Sequence, residues 1–252
     1  MHETRSLVKF ATYVTLDKAK THCNMNEQLE RLKLVKQRIR QACLDAARPA
    51  GTVSLLAVSK RHPAERIIAL NELGIRSFGE NQLQEALQKQ QMLSGFDIEW
   101  HFIGTIQSNK TRALAEHFQW VQSVDRQKSL RRLSAQRPEA LTPLNICLQV
   151  NIDREPQKAG ASPEDIPMLA DFAGTLKNIR LRGLMALPRQ TDIREQQQAS
   201  FRKVKNLFEK LKDDGHDIDT LSMGMSHDLE AAISEGSTMV RIGTDLLGKR
   251  PA

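Results

Sequence analysis

Between Val53 and Gly243 the chain repeats one unit eight times, a short apolar run followed by a stretch of helical spacing. The runs fall at about 53–59, 75–81, 99–104, 120–124, 144–151, 179–187, 219–223 and 238–243. Helices are expected between them at about 63–73, 82–92, 109–118, 125–136, 163–176, 192–212 and 226–235, with a short helical stretch after the last run. Pro63 and Pro163 are placed to open helices, Asp125 to cap one, and Gly74 to end one. Eight strand–helix units in about 200 residues predict an α/β fold, a (β/α)8 TIM barrel. An open doubly wound sheet normally has fewer repeats and a Gly-x-Gly-x-x-Gly turn after its first strand. Here the first strand ends in Ser59-Lys60 instead.

Upstream, Leu29, Leu32, Val35, Ile39, Ala42, Cys43 and Ala46 keep helical spacing, so an extra N-terminal helix is expected over 26–48, stopped by Arg48-Pro49-Ala50-Gly51. Residues 1–24 differ in composition from the rest of the chain, and Met25 directly precedes the helix. They are expected to be an upstream extension or loose tail, with 25–252 a single domain.

Composition narrows the function. The net charge is +7, yet aromatic residues are 4% of the chain and basic residues are scattered among acids. No stacking platform for nucleic acid results, and the charge fits solvated helix faces and small phosphates. Three distant cysteines, Cys23, Cys43 and Cys147, imply neither a disulfide framework nor a metal cluster and fit a reducing cytoplasm. No run of 18 apolar residues predicts a membrane span, and residues 1–24 lack the apolar core of a secretory signal.

In a barrel of this kind the site lies at the carboxyl ends of the strands. Those ends carry Lys60, Gly79-Glu80-Asn81, His101 and Gly104, Gln107 to Lys110, Asn151, Met185, Ser222 to Ser226, and Arg241 to Thr244. Polar turn residues there are also what capping alone would place. A lysine held at a buried strand end can lose solvation and become a nucleophilic amine, the form that makes a Schiff base with an aldehyde. Met223-Gly-Met-Ser226 and Arg241-Ile-Gly-Thr244 offer hydroxyls, backbone N–H groups and close backbone approach at the ends of strands seven and eight, a setting suited to a phosphate. A reactive lysine and a phosphate cradle together point to an aldehyde bearing a phosphate, pyridoxal 5′-phosphate.

Ala57-Val-Ser-Lys60, Phe78-Gly-Glu-Asn81, Trp100-His-Phe-Ile-Gly104 with Gln107-Ser-Asn-Lys110, Arg182-Gly-Leu-Met-Ala186, Ser222-Met-Gly-Met-Ser226 and Met239-Val-Arg-Ile-Gly-Thr244 together resemble the pyridoxal phosphate homeostasis protein family. The match runs over about residues 26–250 and implies a fold-type III barrel similar to the N-terminal domain of alanine racemase. It implies that Lys60 bears the internal aldimine and that Ser226, Gly243, Thr244 and the N–H of Met225 hold the phosphate. It puts Arg241 against the pyridine nitrogen and Asn81 and His101 near the ring. The chain departs from the family pattern at Thr105-Ile106 and at His227, where a second acid is common. Neither departure removes a cofactor contact.

The racemases this barrel resembles use a second acid/base, a tyrosine from an additional β-domain after the barrel. In this sequence the single tyrosine is Tyr13, and the chain ends at Ala252 directly after the barrel. An arginine facing the ring nitrogen also disfavours its protonation and weakens the ring as an electron sink. The expectation is a monomeric cytoplasmic protein that holds the cofactor and affects vitamin B6 and amino-acid balance, without metal and without turnover. Its expected partners are the cofactor and pyridoxal-phosphate-dependent apo-enzymes or B6-pathway enzymes, with neither nucleic acid nor membrane. The alternative is a small amino-acid racemase.

Overall fold

The computed structural model describes residues 18–249, with side chains from Met25 onward. Eight parallel strands close in sequence order into a barrel. They are β1 (Ser54–Val58), β2 (Ser77–Glu80), β3 (Glu99–Phe102), β4 (Trp120–Val124), β5 (Leu144–Val150), β6 (Ile179–Ala186), β7 (Thr220–Ser222) and β8 (Met239–Ile242). β8 closes on β1 through the Ser54–Met239 and Leu56–Arg241 registers. The outer helices are α1 (Lys18–Asp45), α2 (Ala64–Glu72), α3 (Leu83–Met92), α4 (Thr111–His117), α5 (Gln127–Gln136), α6 (Ile166–Gly174), α7 (Arg194–Asp213), α8 (Leu229–Ser234) and α9 (Thr244–Leu247). Each apolar run expected to be a strand is one.

Helix ends differ more. α1 begins at Lys18, so the division expected at residue 25 falls inside this helix. Residues 1–17, with Tyr13, lie outside the described residues, as does the side chain of Cys23. Asp125 does not cap α5, whose N-cap is Arg126 with no side-chain cap bond. α6 starts at Ile166 rather than Pro163, with Pro167 in its first turn. Gly74 follows the C-cap of α2 at φ +90°, a left-handed turn that favours glycine.

Helices and strands meet in one continuous apolar layer. Phe78, Phe118, Phe201, Leu114, Leu130 and Leu148 are fully buried in it. α1 turns Leu32, Val35, Ile39, Ala42 and Cys43 inward and packs on α2, α8 and α9. The i, i+3, i+4, i+7 spacing read from the sequence is this buried stripe. The glycine at 183 is required. It sits at φ +146°, where a Cβ would lie 1.9 Å from the Thr220 carbonyl oxygen. Among the described residues no helix is long and apolar enough to cross a membrane.

Candidate cofactor site at the carboxyl ends of the strands

Side chains alternate across a strand, so positions two apart share a face. Val58 lines the open end of the barrel, and Lys60, two residues on, lines the same cavity. The same parity carries Arg241 and Gly243 of the β8 end to it, and Asn81 from the β2 end. The cavity is about 820 Å³, a size typical of small-ligand sites. Seven of the eight residues singled out from the sequence line it: Lys60, Asn81, Met225, Ser226, Arg241, Gly243 and Thr244. Lys110, Lys158 and His227 join them, and among the described residues that line the cavity there is no carboxylate. The donor set is built for an anion.

The strand end that carries Lys60 is pinned from both sides. Ser59, fully buried, donates its N–H to the Gly79 carbonyl at 3.0 Å, while its own carbonyl accepts from His62 N–H at 3.0 Å. Its hydroxyl donates to Glu80 Oε1 at 2.7 Å. Lys89 Nζ donates to the Ser59 carbonyl at 2.8 Å and to Glu80 Oε1 and Glu85 Oε1, each at 2.6 Å. Beyond Lys60, Arg61 sits at φ 61°, a left-handed conformation costing an L residue about 1–2 kcal/mol. Its N–H is held by Glu85 Oε1 at 2.6 Å. Burial pushes the Glu80 carboxyl above its ordinary range, against the pull of the Lys89 ammonium. Lys89 was not singled out from the sequence. Its one signal was the Glu85–Lys89 spacing of four, which also describes an ordinary surface pair.

His101 does not reach the cavity. It is fully buried inside the barrel, stacked on Trp120 with ring centroids 5.1 Å apart. Burial holds its imidazole below the ordinary histidine range. A neutral ring beside a carboxylate donates through Nε2 to Glu99 Oε1 at 2.9 Å, leaving Nδ1 to accept from Gln122 Nε2 at 2.9 Å. Gln122 Oε1 accepts from the Ser222 hydroxyl at 2.7 Å, and Ser222 Oγ accepts from Arg241 Nη1 at 2.8 Å. Every donor in this chain points the same way, from Arg241 at the cavity to Glu99 at the amino ends of the strands. Arg241 Nη2 donates to the Ala186 carbonyl at 2.9 Å. Burial lowers its pKa to about 10, so it stays charged at neutral pH. The sequence signal for this chain was Gln122, a polar residue in the middle of an otherwise buried strand.

The phosphate-type turns differ from expectation in one bond. Met225 lines the cavity, but its N–H donates to Asp228 Oδ1 at 2.6 Å. Gly104, at the end of β3, comes so close to the chain at Asn81 that a Cβ would lie 2.1 Å from the Asn81 carbonyl oxygen. Asn81 Oδ1 is buried without a hydrogen-bond partner, an acceptor that a bound molecule can satisfy. Asn151 serves the loop after β5, bonding Glu155 through both ends of its amide.

A family model described as the alanine racemase N-terminal domain matches residues 34–251. The pyridoxal phosphate homeostasis protein of Pseudomonas aeruginosa is 55% identical over 226 residues, covering 90% of this chain and 97% of that protein. The protein of the same name in Escherichia coli K12 is 44% identical over 229 residues, covering 90% and 98%. Among solved structures, PipY of Synechococcus elongatus with PLP bound is 37% identical with a TM-score of 0.73, covering 84% of this chain and 99% of that one. An alanine racemase of Clostridium difficile matches at a TM-score of 0.70 and 15% identity, covering 91% of this chain and 57% of that one, a likeness in fold alone. This chain therefore belongs to the pyridoxal phosphate homeostasis protein family, on the barrel of the alanine racemase N-terminal domain.

Proposed function

We propose that this chain holds pyridoxal 5′-phosphate in the cavity as a Schiff base on Lys60 and serves the cell's vitamin B6 balance, and through it amino-acid balance, as a cytoplasmic carrier. The observation that carries the reading is the meeting of Lys60, Arg241, Ser226 and Thr244 on one cavity with no carboxylate among the described residues that line it. The fit is chemical. The unpartnered Asn81 oxygen, the cationic lining and the hydroxyls of Ser226 and Thr244 match the polar groups of a phosphorylated pyridine aldehyde. The names of the relatives, and the PLP bound in PipY, agree with it.

Residue roles follow from position. Ser226, Gly243 and Thr244 hold the phosphate, joined by Met225 N–H if it exchanges its bond to Asp228. Arg241 faces the pyridine nitrogen as a charged donor, Asn81 bonds the ring substituents, and His101 acts from beneath through Gln122 and Ser222. Bound here, the aldehyde supplies a carbon that condenses reversibly with the Lys60 amine, releasing one water. A permanently charged Arg241 keeps the ring nitrogen unprotonated and so favours holding over electron-sink chemistry. The cofactor-holding unit is residues 25–252, with 1–24 as an extension whose residues 18–24 are the first part of α1. It works as a monomer that hands the cofactor to apo-enzymes.

The test is the absorbance spectrum of the loaded protein with and without borohydride, together with mapping of the modified lysine. Lys60→Ala should abolish the borohydride-stable label, and label persisting on another lysine refutes the assignment. Ser226→Ala and Thr244→Ala should each weaken cofactor binding by roughly 1–3 kcal/mol, the worth of a charge-assisted hydrogen bond. Stereospecific turnover of alanine or serine well above a Lys60→Ala control would replace the carrier with a racemase.

A further inference from the structure

Arg38 lies on α1, outside the barrel, and is not among the residues lining the cavity. Its guanidinium nevertheless reaches both loops to which the phosphate is assigned. Nη2 donates to the carbonyl of Ser226 at 2.9 Å. Nε and Nη2 fork onto Glu230 Oε1 and Oε2 at 2.8 and 3.0 Å. Nη1 donates to Asp245 Oδ2 at 2.6 Å. Glu230 stands four residues after Ser226, and Asp245 directly follows Thr244. One side chain thus ties the β7 loop to the β8 loop, across 188 and 207 residues of sequence separation respectively.

The charges make this more than a brace. Two carboxylates flank the loops expected to receive a phosphate dianion, and like charge left uncompensated there would disfavour it. The guanidinium is shared among four acceptor atoms on three residues, including a two-toothed bond to Glu230 that the planar five-donor fork of arginine makes and a lysine ammonium does not. The hydrogen bond to Glu230 holds Arg38 above its ordinary range. Burial would raise Glu230, but the bond from Arg38 and its charge outweigh that, so the carboxyl stays below its ordinary range. Arg38 and Glu230 are therefore charged together at neutral pH, and the Asp245 carboxylate shares the same guanidinium. The side chains are each about one-third exposed (35%, 40% and 35%), so solvent screens the pairs and stability alone gives them little reason to exist.

We infer that Arg38 is a positioning residue for the cofactor's phosphate: from the outer helix it holds the Ser226 and Thr244 loops together and offsets part of the negative charge of the Glu230 and Asp245 carboxylates beside them. The inference rests on reading this end of the cavity as the phosphate site.

Pyridoxal 5′-phosphate and pyridoxal share the ring and the aldehyde and differ only in the phosphate, so the pair isolates the effect. Dissociation constants of both ligands are measured for the wild type, Arg38→Ala, Arg38→Lys and the triple variant Arg38→Ala/Glu230→Gln/Asp245→Asn. Arg38→Ala should weaken pyridoxal 5′-phosphate on the order of tenfold, within the range for residues that act through others, and leave pyridoxal unchanged. Inorganic phosphate should lose potency as a competitor in parallel. The triple variant should recover most of the loss, because the uncompensated carboxylates are gone. Arg38→Lys keeps the charge without the fork and should fall between; it carries the comparison if Arg38→Ala does not fold. Equal weakening of both ligands by Arg38→Ala or Arg38→Lys, or a triple variant as weak as the single one, overturns the inference. A wild type that binds both ligands equally overturns the phosphate site itself, a separate outcome.

Discussion

Replacing Lys89 by methionine isolates what holds the Lys60 strand end. The Lys89 side chain is 7% exposed and Glu80 is wholly buried, with 2.6 Å between Nζ and Oε1. Methionine keeps the volume and removes the charge, leaving Glu80 with the Ser59 hydroxyl alone and the Ser59 carbonyl without its lysine donor. Breaking a buried pair on one side costs about 3–5 kcal/mol. An independent bound agrees, since neutralising a carboxyl of ordinary pKa ~4.3 at pH 7 costs about 3.7 kcal/mol. Glu80 is already raised by burial, and Lys89 is the main force lowering it. In the variant its folded pKa therefore lies well above its unfolded one. The native state then binds the extra proton between the two values, and stability falls as pH rises. Relative to wild type, the Lys89→Met deficit should be about 4 kcal/mol at pH 7 and shrink by up to about 2.7 kcal/mol at pH 5. Urea unfolding at pH 5, 6 and 7 reads both quantities. Glu80→Gln/Lys89→Met should recover most of the loss, because no buried charge remains. A deficit below about 1 kcal/mol, or one independent of pH, would show that Glu80 is not held as a buried anion by Lys89.

Gln122→Leu cuts the chain between His101 and Ser222, leaving buried polar atoms on both sides, and should destabilise the fold by about 2–4 kcal/mol. It should also shift the pH titration of the bound cofactor's absorbance by loosening Arg241, whereas Ile146→Val, an apolar change of similar burial, should not; identical titrations in both variants would separate Arg241 from the chain. Gly104→Ala should push the Asn81 backbone away, costing about 1–3 kcal/mol of stability and weakening cofactor binding. A crystal structure of that variant with Asn81 unmoved, or an unchanged dissociation constant, would contradict it.

The fold was written in the local pattern. A buried parallel strand must be apolar on both faces, and a helix laid over it must show a 3.6-residue stripe. Eight alternations of the two therefore appeared as a barrel before any contact was known. Lys60, Asn81, Arg241, Gly243 and Thr244 were legible for a related reason. The carboxyl-end rule places them on one rim without knowledge of their partners. Helix starts were less legible, because Arg126 takes the cap position that Asp125 was expected to fill.

Only the tertiary structure decided which polar groups meet. His101 stands at a strand end in the sequence, but its parity turns it into the barrel interior, where Glu99 and Gln122 take both ring nitrogens. Met225 carries an N–H in the expected place, yet Asp228 accepts it first. Lys89 and Arg38 look like surface cations in helical sequence, and nothing within several residues of either distinguishes them. One closes over Glu80 and the Ser59 carbonyl, the other over Glu230, Asp245 and the Ser226 carbonyl. Local spacing encodes which face a residue takes, because that is set by backbone geometry over a few residues. Charge compensation depends on groups up to 207 residues apart, and only the closed barrel brings those together.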